Sequence, residues 1–215
     1  MSEARPSAAE AFSVVFVCTG NRFRSPLAAA LVERLTESLP VSATSYGTLE
    51  LDGVPALPEA VAIAGELGID LSGHRARPVI DAELGGVDLL LGFEDAHVRA
   101  AVVDAGAPRD RSFTLRHFMR LLREVEQPAA DSLVERARGM VTHANVLRST
   151  SPSTLADTMR DPLGAAANVQ YEIAAEIRET ALQLVVQLFG VRDRALPALA
   201  APARGSRLRR RLRLR

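Results

Sequence analysis

The sequence has a single cysteine, no tryptophan and no lysine. One cysteine cannot form an intramolecular disulfide, and it excludes zinc sites that are built from several thiolates. Aromatic residues make up only 4% of the chain and hydrophobic residues 47%, so Ala, Val, Leu and Ile must supply most of the core. This composition favours helices that pack on a sheet.

Long apolar runs are also missing. No stretch of about 18 apolar residues occurs, and the first dozen residues lack the apolar segment of a secretory signal peptide. We therefore expect a cytoplasmic protein without a transmembrane helix. The four histidines are scattered and are not spaced as metal ligands, so we expect no metal and no other cofactor.

Charge is distributed unevenly along the 215 residues. Residues 191–215 carry nine arginines and one aspartate, although the formal net charge of the whole chain is zero. Low complexity and terminal position predict that this basic tail is disordered. Its interleaved Arg and Leu residues leave open an interfacial helix on an anionic membrane surface. The tail has no aromatic residue to stack on bases, so no nucleic acid is expected as a partner.

Short apolar runs alternate with helical patterns between residues 13 and 190. The pattern predicts strands at 13–17, 41–45, 87–92 and 112–115, and helices at 26–39, 59–67, 95–105, 114–124, 130–147 and 169–188. Such an order is typical of a three-layer α/β domain, a four-stranded parallel sheet with helices on both faces. Residues 1–12 are predicted to form a flexible lead.

The segment V-C-T-G-N-R-F-R-S-P, residues 17–26, joins the first predicted strand to the first predicted helix. Backbone N–H groups and the helix dipole at such a junction form an anion site that fits phosphate. The same potential stabilises a thiolate, so Cys18 is expected to be a nucleophile near neutral pH. Arg24 is expected to hold two phosphoryl oxygens through its planar guanidinium, which lysine cannot do. Ser25 is the expected helix N-cap, and its hydroxyl could donate to Cys18.

A buried structural thiol is the competing interpretation of a lone intracellular cysteine. The spacing C-x5-R-S, with a predicted strand before it and a predicted helix after it, favours the catalytic interpretation of Cys18.

These residues resemble the low-molecular-weight protein tyrosine phosphatase family, in particular its bacterial branch. The resemblance extends to S-Y-G-T at residues 45–48, to L-G-I-D-L-S-G-H-R-A-R at residues 67–77 and to Asp161-Pro162. It covers about residues 13–125 and 157–190, which leaves residues 125–157 as an insertion. It implies a phosphoprotein phosphatase that hydrolyses phosphotyrosine through a phosphocysteine intermediate.

The resemblance also implies roles for individual residues. Cys18 would be the nucleophile, Arg24 the phosphate clamp, and Asp161 the proton donor that later activates water. His74 would brace the loop, and Glu94 would support His74. The phosphate-binding loop would comprise Thr19, Gly20, Asn21, Arg22, Phe23 and Ser25. Without the resemblance, Asp-Pro indicates only a turn, and a single histidine is more often a packing or surface residue.

Two loop positions depart from the family. Arg22 and Phe23 stand where the family has an apolar residue and a second cysteine. Arg22 at the pocket mouth indicates an anionic or unusual substrate, or else a solvated charge, whereas Phe23 is expected to pack. The insertion could be a lid, a partner surface or a lengthened peripheral helix.

Several functions remain open at this point. The alternatives are a phosphoarginine phosphatase and a turnover-deficient regulator that binds phosphopeptides. An arsenate reductase is disfavoured because that enzyme resolves its thiol with further cysteines. The expected partner is a phosphorylated protein, and the leucines at positions 49 and 51 resemble relatives that act with bacterial tyrosine kinases of polysaccharide export.

Overall fold

A computed structural model describes residues 11–200, apart from the side chain of Arg194. The strands are β1 (Phe12–Cys18), β2 (Val41–Gly47), β3 (Leu89–Gly92) and β4 (Ser112–Thr114). The α-helices in this part of the chain are α1 (Arg24–Leu35), α2 (Pro58–Glu66), α3 (Asp95–Asp104), α4 (Leu115–Leu122), α5 (Leu133–Leu147) and α6 (Ala167–Phe189). None of these helices is both long and apolar enough to cross a membrane.

The four strands form one parallel sheet in the order β2-β1-β3-β4. Side chains of β1 alternate between its two faces, as a pleated strand requires. Val14 and Phe16 pack into a large apolar cluster with residues of α1, α2, α4, α5 and α6. Val15 and Val17 pack into a smaller cluster that includes Ala101 of α3. Both faces of the sheet are therefore covered, which confirms the three-layer α/β prediction.

The carboxyl ends of parallel strands lie along one edge of the sheet, where ligands of open α/β folds bind. β1 and β3 are neighbours in register, with Val17 opposite Gly92. The loop after β1 and the start of α3 consequently meet at this edge, and α1 points its N-terminus at the same place. This arrangement brings residues that are far apart in the chain into one site.

The predicted N-cap of the first helix is wrong. α1 begins at Arg24, its N-cap is Phe23, and no side chain caps it. The hydroxyl of Ser25 makes other contacts, with Cys18, Asn21 and the Tyr46 carbonyl, and Ser25 lies two residues after the N-cap position. The first N–H groups of α1 therefore remain available at the sheet edge.

The region predicted to be an insertion contains helix α5. Ser132 caps this helix by accepting a hydrogen bond from the N–H of Glu135 at 3.1 Å. Its buried face, with Ala137, Met140 and Ala144, joins the large apolar cluster. α5 is thus a packed helix rather than a free lid.

The chain continues past α6 in contact with the core. Leu196 and Leu199 pack against the large apolar cluster, and Arg178 donates hydrogen bonds to the carbonyls of Leu199 and Ala200. At the other end, Phe12 of the predicted lead is the first residue of β1. Most of the predicted lead and tail, residues 1–10 and 201–215, lies outside the described residues.

Candidate active site

The loop after β1 turns back through an unusual backbone conformation at Asn21. Its φ is 51°, the one positive value at a non-glycine residue in the described part of the chain. Asn21 is fully buried. Its Nδ2 donates to Ser25 Oγ at 2.9 Å and to Ser45 Oγ at 2.8 Å, and its Oδ1 accepts from the N–H of Arg77 at 3.0 Å. These bonds offset the cost of a left-handed residue, about 1 kcal/mol or more.

The backbone N–H groups inside the loop have no acceptor among the residues that the structure describes. Within residues 11–200, none of the N–H groups of residues 20–23 donates a hydrogen bond to another residue. They lie directly before the uncapped N-terminus of α1. Free N–H groups at a helix N-terminus form a binding site for an anion such as phosphate.

Cys18 ends β1 and is buried beneath this loop. Its Sγ lies 3.0 Å from Ser25 Oγ. Because Asn21 already donates to Ser25, the single proton of the serine hydroxyl is left for Cys18 or for the Tyr46 carbonyl at 3.2 Å. A thiolate would be the stronger acceptor of the two, since it carries a full charge.

Arg24 is the most enclosed charged side chain of the site, with 1% of its surface exposed. Its Nη1 donates to Glu94 Oε1 at 2.8 Å and to the Met159 carbonyl at 2.9 Å. Its Nη2 donates to Thr19 Oγ1 at 3.0 Å and to Asp161 Oδ2. A buried guanidinium needs such partners because an isolated buried charge is very costly. The result is an arginine whose orientation is set from several sides.

Asp161 reaches the site from a segment 137 residues after Arg24. Its Oδ1 accepts from the N–H of Leu163 at 2.8 Å, which closes a short turn and orients the carboxylate. Its Oδ2 contacts Arg24 and lies 3.4 Å from the Thr19 hydroxyl. The side chain is 42% exposed, so it is open to both substrate and water.

His97 also belongs to this group of residues, although it was not among the predicted site residues. Its side chain is buried, with Nε2 3.1 Å from Thr19 Oγ1. Burial, and after it the Arg24 guanidinium, lowers the pKa of His97 to about 4, so the imidazole is neutral near pH 7. The Thr19 hydroxyl has one proton to donate. If His97 carries its proton on Nε2, it donates to Thr19 Oγ1, and Thr19 can donate its own proton to Asp161. If Nε2 carries no proton, the Thr19 proton goes to His97. The sequence contained a signal for His97, because this residue follows β3. The carboxyl end of β3 lies beside that of β1.

The predicted support of His74 by Glu94 is wrong. Glu94 accepts from Arg24 and lies 3.9 Å from His97 Nε2. The reason is the strand order, since β3 places Glu94 next to Arg24. His74 comes from the opposite side of the loop, and its Nε2 lies 2.7 Å from the Asn21 carbonyl. Burial lowers the pKa of His74 from its ordinary value.

A cavity of about 90 Å³ opens over Cys18. The predicted site residues that line it are Cys18, Thr19, Gly20, Arg22, Phe23, Arg24 and Asp161. Leucines and one proline form the rest of its wall, namely Leu49, Leu51, Leu57, Pro162 and Leu163. The cavity therefore has a polar, cationic floor and an aliphatic entrance. No group of three or more His, Cys, Asp or Glu side chains in the described residues is placed to hold a metal ion.

The sequence of the domain matches a known family. A family model described as low molecular weight phosphotyrosine protein phosphatase matches residues 13–144, more than half of the chain. The chain belongs to this family. The family match includes Cys18, Arg24, Glu94 and His97, and it ends before Asp161.

Curated relatives within the phosphatase family carry two different names. A probable low molecular weight protein-tyrosine-phosphatase EpsP of Ralstonia nicotianae is 42% identical over 85 residues, 39% of this chain and 57% of the relative. The chain thus matches little more than half of that relative's length. A protein-arginine-phosphatase of Bacillus subtilis is 33% identical over 108 residues, 49% of this chain and 71% of the relative.

Solved structures of the family share the fold. The crystal structure of a low molecular weight protein tyrosine phosphatase from T. tengcongensis superimposes with a TM-score of 0.58 and is 26% identical. The superposition covers 81% of this chain and 98% of the other. It extends the similarity beyond the residues that the family model matches.

Proposed function

We propose that this chain is a phosphoprotein phosphatase that hydrolyses phosphotyrosine through a phosphocysteine intermediate. One observation carries the proposal: Cys18 and Arg24 of the loop after β1 line the same small cavity as Asp161, which comes from a segment 137 residues after Arg24. A nucleophile, an anion clamp and a carboxyl group at one opening are the parts that cysteine-dependent phosphoryl transfer requires.

In the first step, the Cys18 thiolate attacks the phosphorus atom of the substrate. An S–P bond forms as the bond from phosphorus to the tyrosyl oxygen breaks, and Asp161 in its protonated form gives its proton to that oxygen. Ser25 donates to Cys18 Sγ and stabilises the thiolate before attack, since their atoms lie 3.0 Å apart.

In the second step, water attacks the phosphorus of the phosphocysteine. The Asp161 carboxylate takes a proton from this water, the O–P bond forms, and the S–P bond breaks to release phosphate and the Cys18 thiolate. Asp161 is then protonated again for the next cycle. Its exposure, 42% of the side chain, gives water access to the carboxylate.

The charge of the phosphoryl group is balanced throughout by fixed donors. Arg24 and the N–H groups of residues 20–23 can bind its non-bridging oxygens. The contacts with Glu94 and Met159 orient Arg24 through Nη1, whereas a phosphoryl oxygen on Nη2 would take the place of its contacts with Thr19 and Asp161.

The aliphatic entrance favours phosphotyrosine over phosphoarginine. Leu49, Leu57 and Leu163 offer apolar surface to a phenyl ring. Among the described residues that line the cavity, Asp161 is the one carboxylate. A phosphoarginine guanidinium would enter past Arg22 and would find no other acid to pair with.

Phosphoarginine remains the second candidate substrate, because a relative named protein-arginine-phosphatase is matched over 71% of its length. Phosphotyrosine and phosphoarginine peptides of the same sequence, compared by kcat/KM, separate the two. A preference for phosphoarginine would overturn the first choice. A protein that binds both and hydrolyses neither would be the turnover-deficient regulator.

The central experiment is hydrolysis of p-nitrophenyl phosphate and of a phosphotyrosine peptide. Cys18→Ser is expected to abolish turnover, and Asp161→Asn to lower kcat by roughly 10²- to 10⁴-fold, the usual contribution of a general acid. Asp104→Asn is the matched control, because Asp104 is an exposed acid at the end of α3. Full activity in Cys18→Ser would rule out the mechanism.

The partner and the compartment follow from the same chemistry. A lone catalytic thiol without a second cysteine is not protected by an intramolecular disulfide, so a reducing compartment such as the cytoplasm suits it. The relatives named tyrosine phosphatases support a phosphorylated bacterial protein as substrate. A tyrosine kinase of polysaccharide export is the partner that we propose to test first.

A further inference from the structure

Arg22 lines the cavity, is partly exposed to solvent, and is held in place there. Its Nε donates to the Pro55 carbonyl at 2.8 Å, and its own carbonyl accepts from the N–H of Leu57 at 2.9 Å. Pro55 is in turn paired with Arg75 in an isolated antiparallel bridge. Both the main chain and the side chain of Arg22 are thus tied to one segment, unlike a freely moving surface arginine.

The charge of Arg22 has no acidic partner in the described part of the chain. No acidic side chain in residues 11–200 lies within 4.0 Å of its guanidinium, and Nε is its one nitrogen with a protein acceptor there. A carbonyl accepts a hydrogen bond but carries no net charge. Arg24, the other arginine of the cavity wall, is by contrast paired with Glu94 and Asp161.

The part of the substrate that Arg22 can contact depends on where Arg22 lies relative to Cys18 in the cavity. The phosphoryl group would lie on Cys18 beneath the loop, and the tyrosyl ring would pass the aliphatic entrance. The substrate backbone and the side chains beside the phosphotyrosine must then leave the cavity at its mouth, which Arg22 lines. The free Nη1 and Nη2 groups form a planar pair that matches the two oxygens of a carboxylate.

We propose that Arg22 binds an acidic side chain adjacent to the phosphotyrosine and so selects phosphoproteins with Asp or Glu beside the phosphorylated residue. This inference rests on the proposed phosphotyrosine phosphatase function. It assigns Arg22 to substrate selection and leaves the phosphoryl charge to Arg24 and the loop N–H groups.

The test uses three phosphotyrosine peptides that differ only at the two residues flanking the phosphotyrosine, which are Glu, Gln or Lys. Wild-type protein is expected to show kcat/KM in the order Glu, Gln, Lys, with the Glu peptide favoured over the Gln peptide about fivefold, as for a partly exposed ion pair. In Arg22→Gln this ratio is expected to fall to about one. Arg22→Lys is expected to retain part of the preference, because it keeps the charge but loses the planar fork.

The Glu-to-Gln ratio of kcat/KM compares two peptides on the same variant. A general loss of activity in Arg22→Gln therefore cancels and does not change this ratio. Raising the salt concentration should weaken the Glu preference of the wild type, because salt screens exposed charges. Equal Glu-to-Gln ratios in wild type and Arg22→Gln would overturn the proposal and leave Arg22 as a general contributor to phosphoryl binding.

A binding measurement separates this proposal from the proposed function. Cys18→Ser and the double variant Cys18→Ser with Arg22→Gln are titrated with the same peptides, and Kd is measured by fluorescence polarisation. If the wild type hydrolyses none of the peptides, the phosphatase assignment fails, but the Kd ratio still decides the role of Arg22. A Glu-to-Gln preference that disappears in the double variant supports it, and a preference that persists there overturns it.

Discussion

His97 shows how a single residue can link the chemistry of the site to its stability. It lies between the charged groups Arg24, Glu94 and Asp161, and burial followed by Arg24 lowers its pKa to about 4. In the unfolded chain a histidine has a pKa of about 6.5. The folded protein therefore binds fewer protons than the unfolded chain when the pH lies between these two values.

We predict that His97 makes stability fall as the pH is lowered from about 6.5 towards 4. The contribution of His97 to the free energy of unfolding is fully present above pH 6.5. By linkage, about 3 kcal/mol of it is lost as the pH falls to about 4. Urea unfolding between pH 7.5 and 4.5 measures it. In His97→Gln, which keeps a side-chain amide near Thr19, the free energy of unfolding should depend less on pH across this window.

Wild type and His97→Gln must be compared because His74 also has a lowered pKa. His74 therefore also makes the free energy of unfolding depend on pH in this range. Only the difference between wild type and His97→Gln reports on His97. Parallel pH profiles would contradict the neutral state of His97 in the folded protein.

At the scale of secondary-structure elements, the shape of the loop between β1 and α1 depends on how closely β2 approaches it. Gly47 ends β2 directly beside Cys18 of β1. A Cβ at Gly47 would lie 2.8 Å from the backbone N of Asn21 and 2.9 Å from the carbonyl carbon of Gly20. Backbone atoms cannot move aside like a flexible side chain, so the loop itself would have to shift.

We predict that Gly47→Ala displaces the loop and lowers kcat/KM for an aryl phosphate by roughly tenfold to a hundredfold, since small misplacements of reacting groups cost this much. Destabilisation of about 1–3 kcal/mol should accompany it, as for other overpacking substitutions. Steady-state kinetics and urea unfolding of the same sample measure both effects.

Gly65→Ala is the matched control for this change. Gly65 lies in α2, and an added Cβ would meet nothing within 4 Å. Alanine should stabilise this helix by about 0.5–1 kcal/mol and leave turnover unchanged. Wild-type kinetics in Gly47→Ala would show that the loop does not depend on the close approach of β2.

At the scale of the whole molecule, the question is where the folded unit ends. α6 stops at Gly190, which has a φ of 65° and terminates the helix. Residues 191–200 nevertheless return to the core through Leu196 and Leu199. The folded part of the chain therefore extends about ten residues beyond the boundary that the helix stop predicts.

We predict that a chain truncated after Gly190 has a Tm lower by roughly 3–6 °C than one truncated after Ala200, because it loses about 1–2 kcal/mol of apolar burial. It also loses the hydrogen bonds from Arg178 to the carbonyls of Leu199 and Ala200. Thermal unfolding of the two truncated proteins and the full chain measures the difference. Identical Tm values for both truncations would place the end of the folded unit at residue 190.

The elements and the loop were predictable because their signals are local. Apolar periodicity placed the strands and helices within a few residues of their observed bounds. Cys18 and Arg24 are close in sequence, and a strand before them with a helix after them defines their geometry almost completely. The bounds that were missed lie where tertiary contacts decide, as for β3, which begins at Leu89 rather than at residue 87.

The sequence by itself determined the sheet, its helical layers and the loop between β1 and α1, because each follows from neighbouring residues. Only the tertiary structure decided that Glu94 and His97 belong beside Arg24 and that Ser25 does not cap the helix. For Asp161 the family resemblance implied a role, and the tertiary structure decided its contacts with Arg24 and Thr19. Contacts across 137 residues, such as that from Arg24 to Asp161, depend on the order of the strands and on how helices pack over them. Local sequence patterns do not encode those distances.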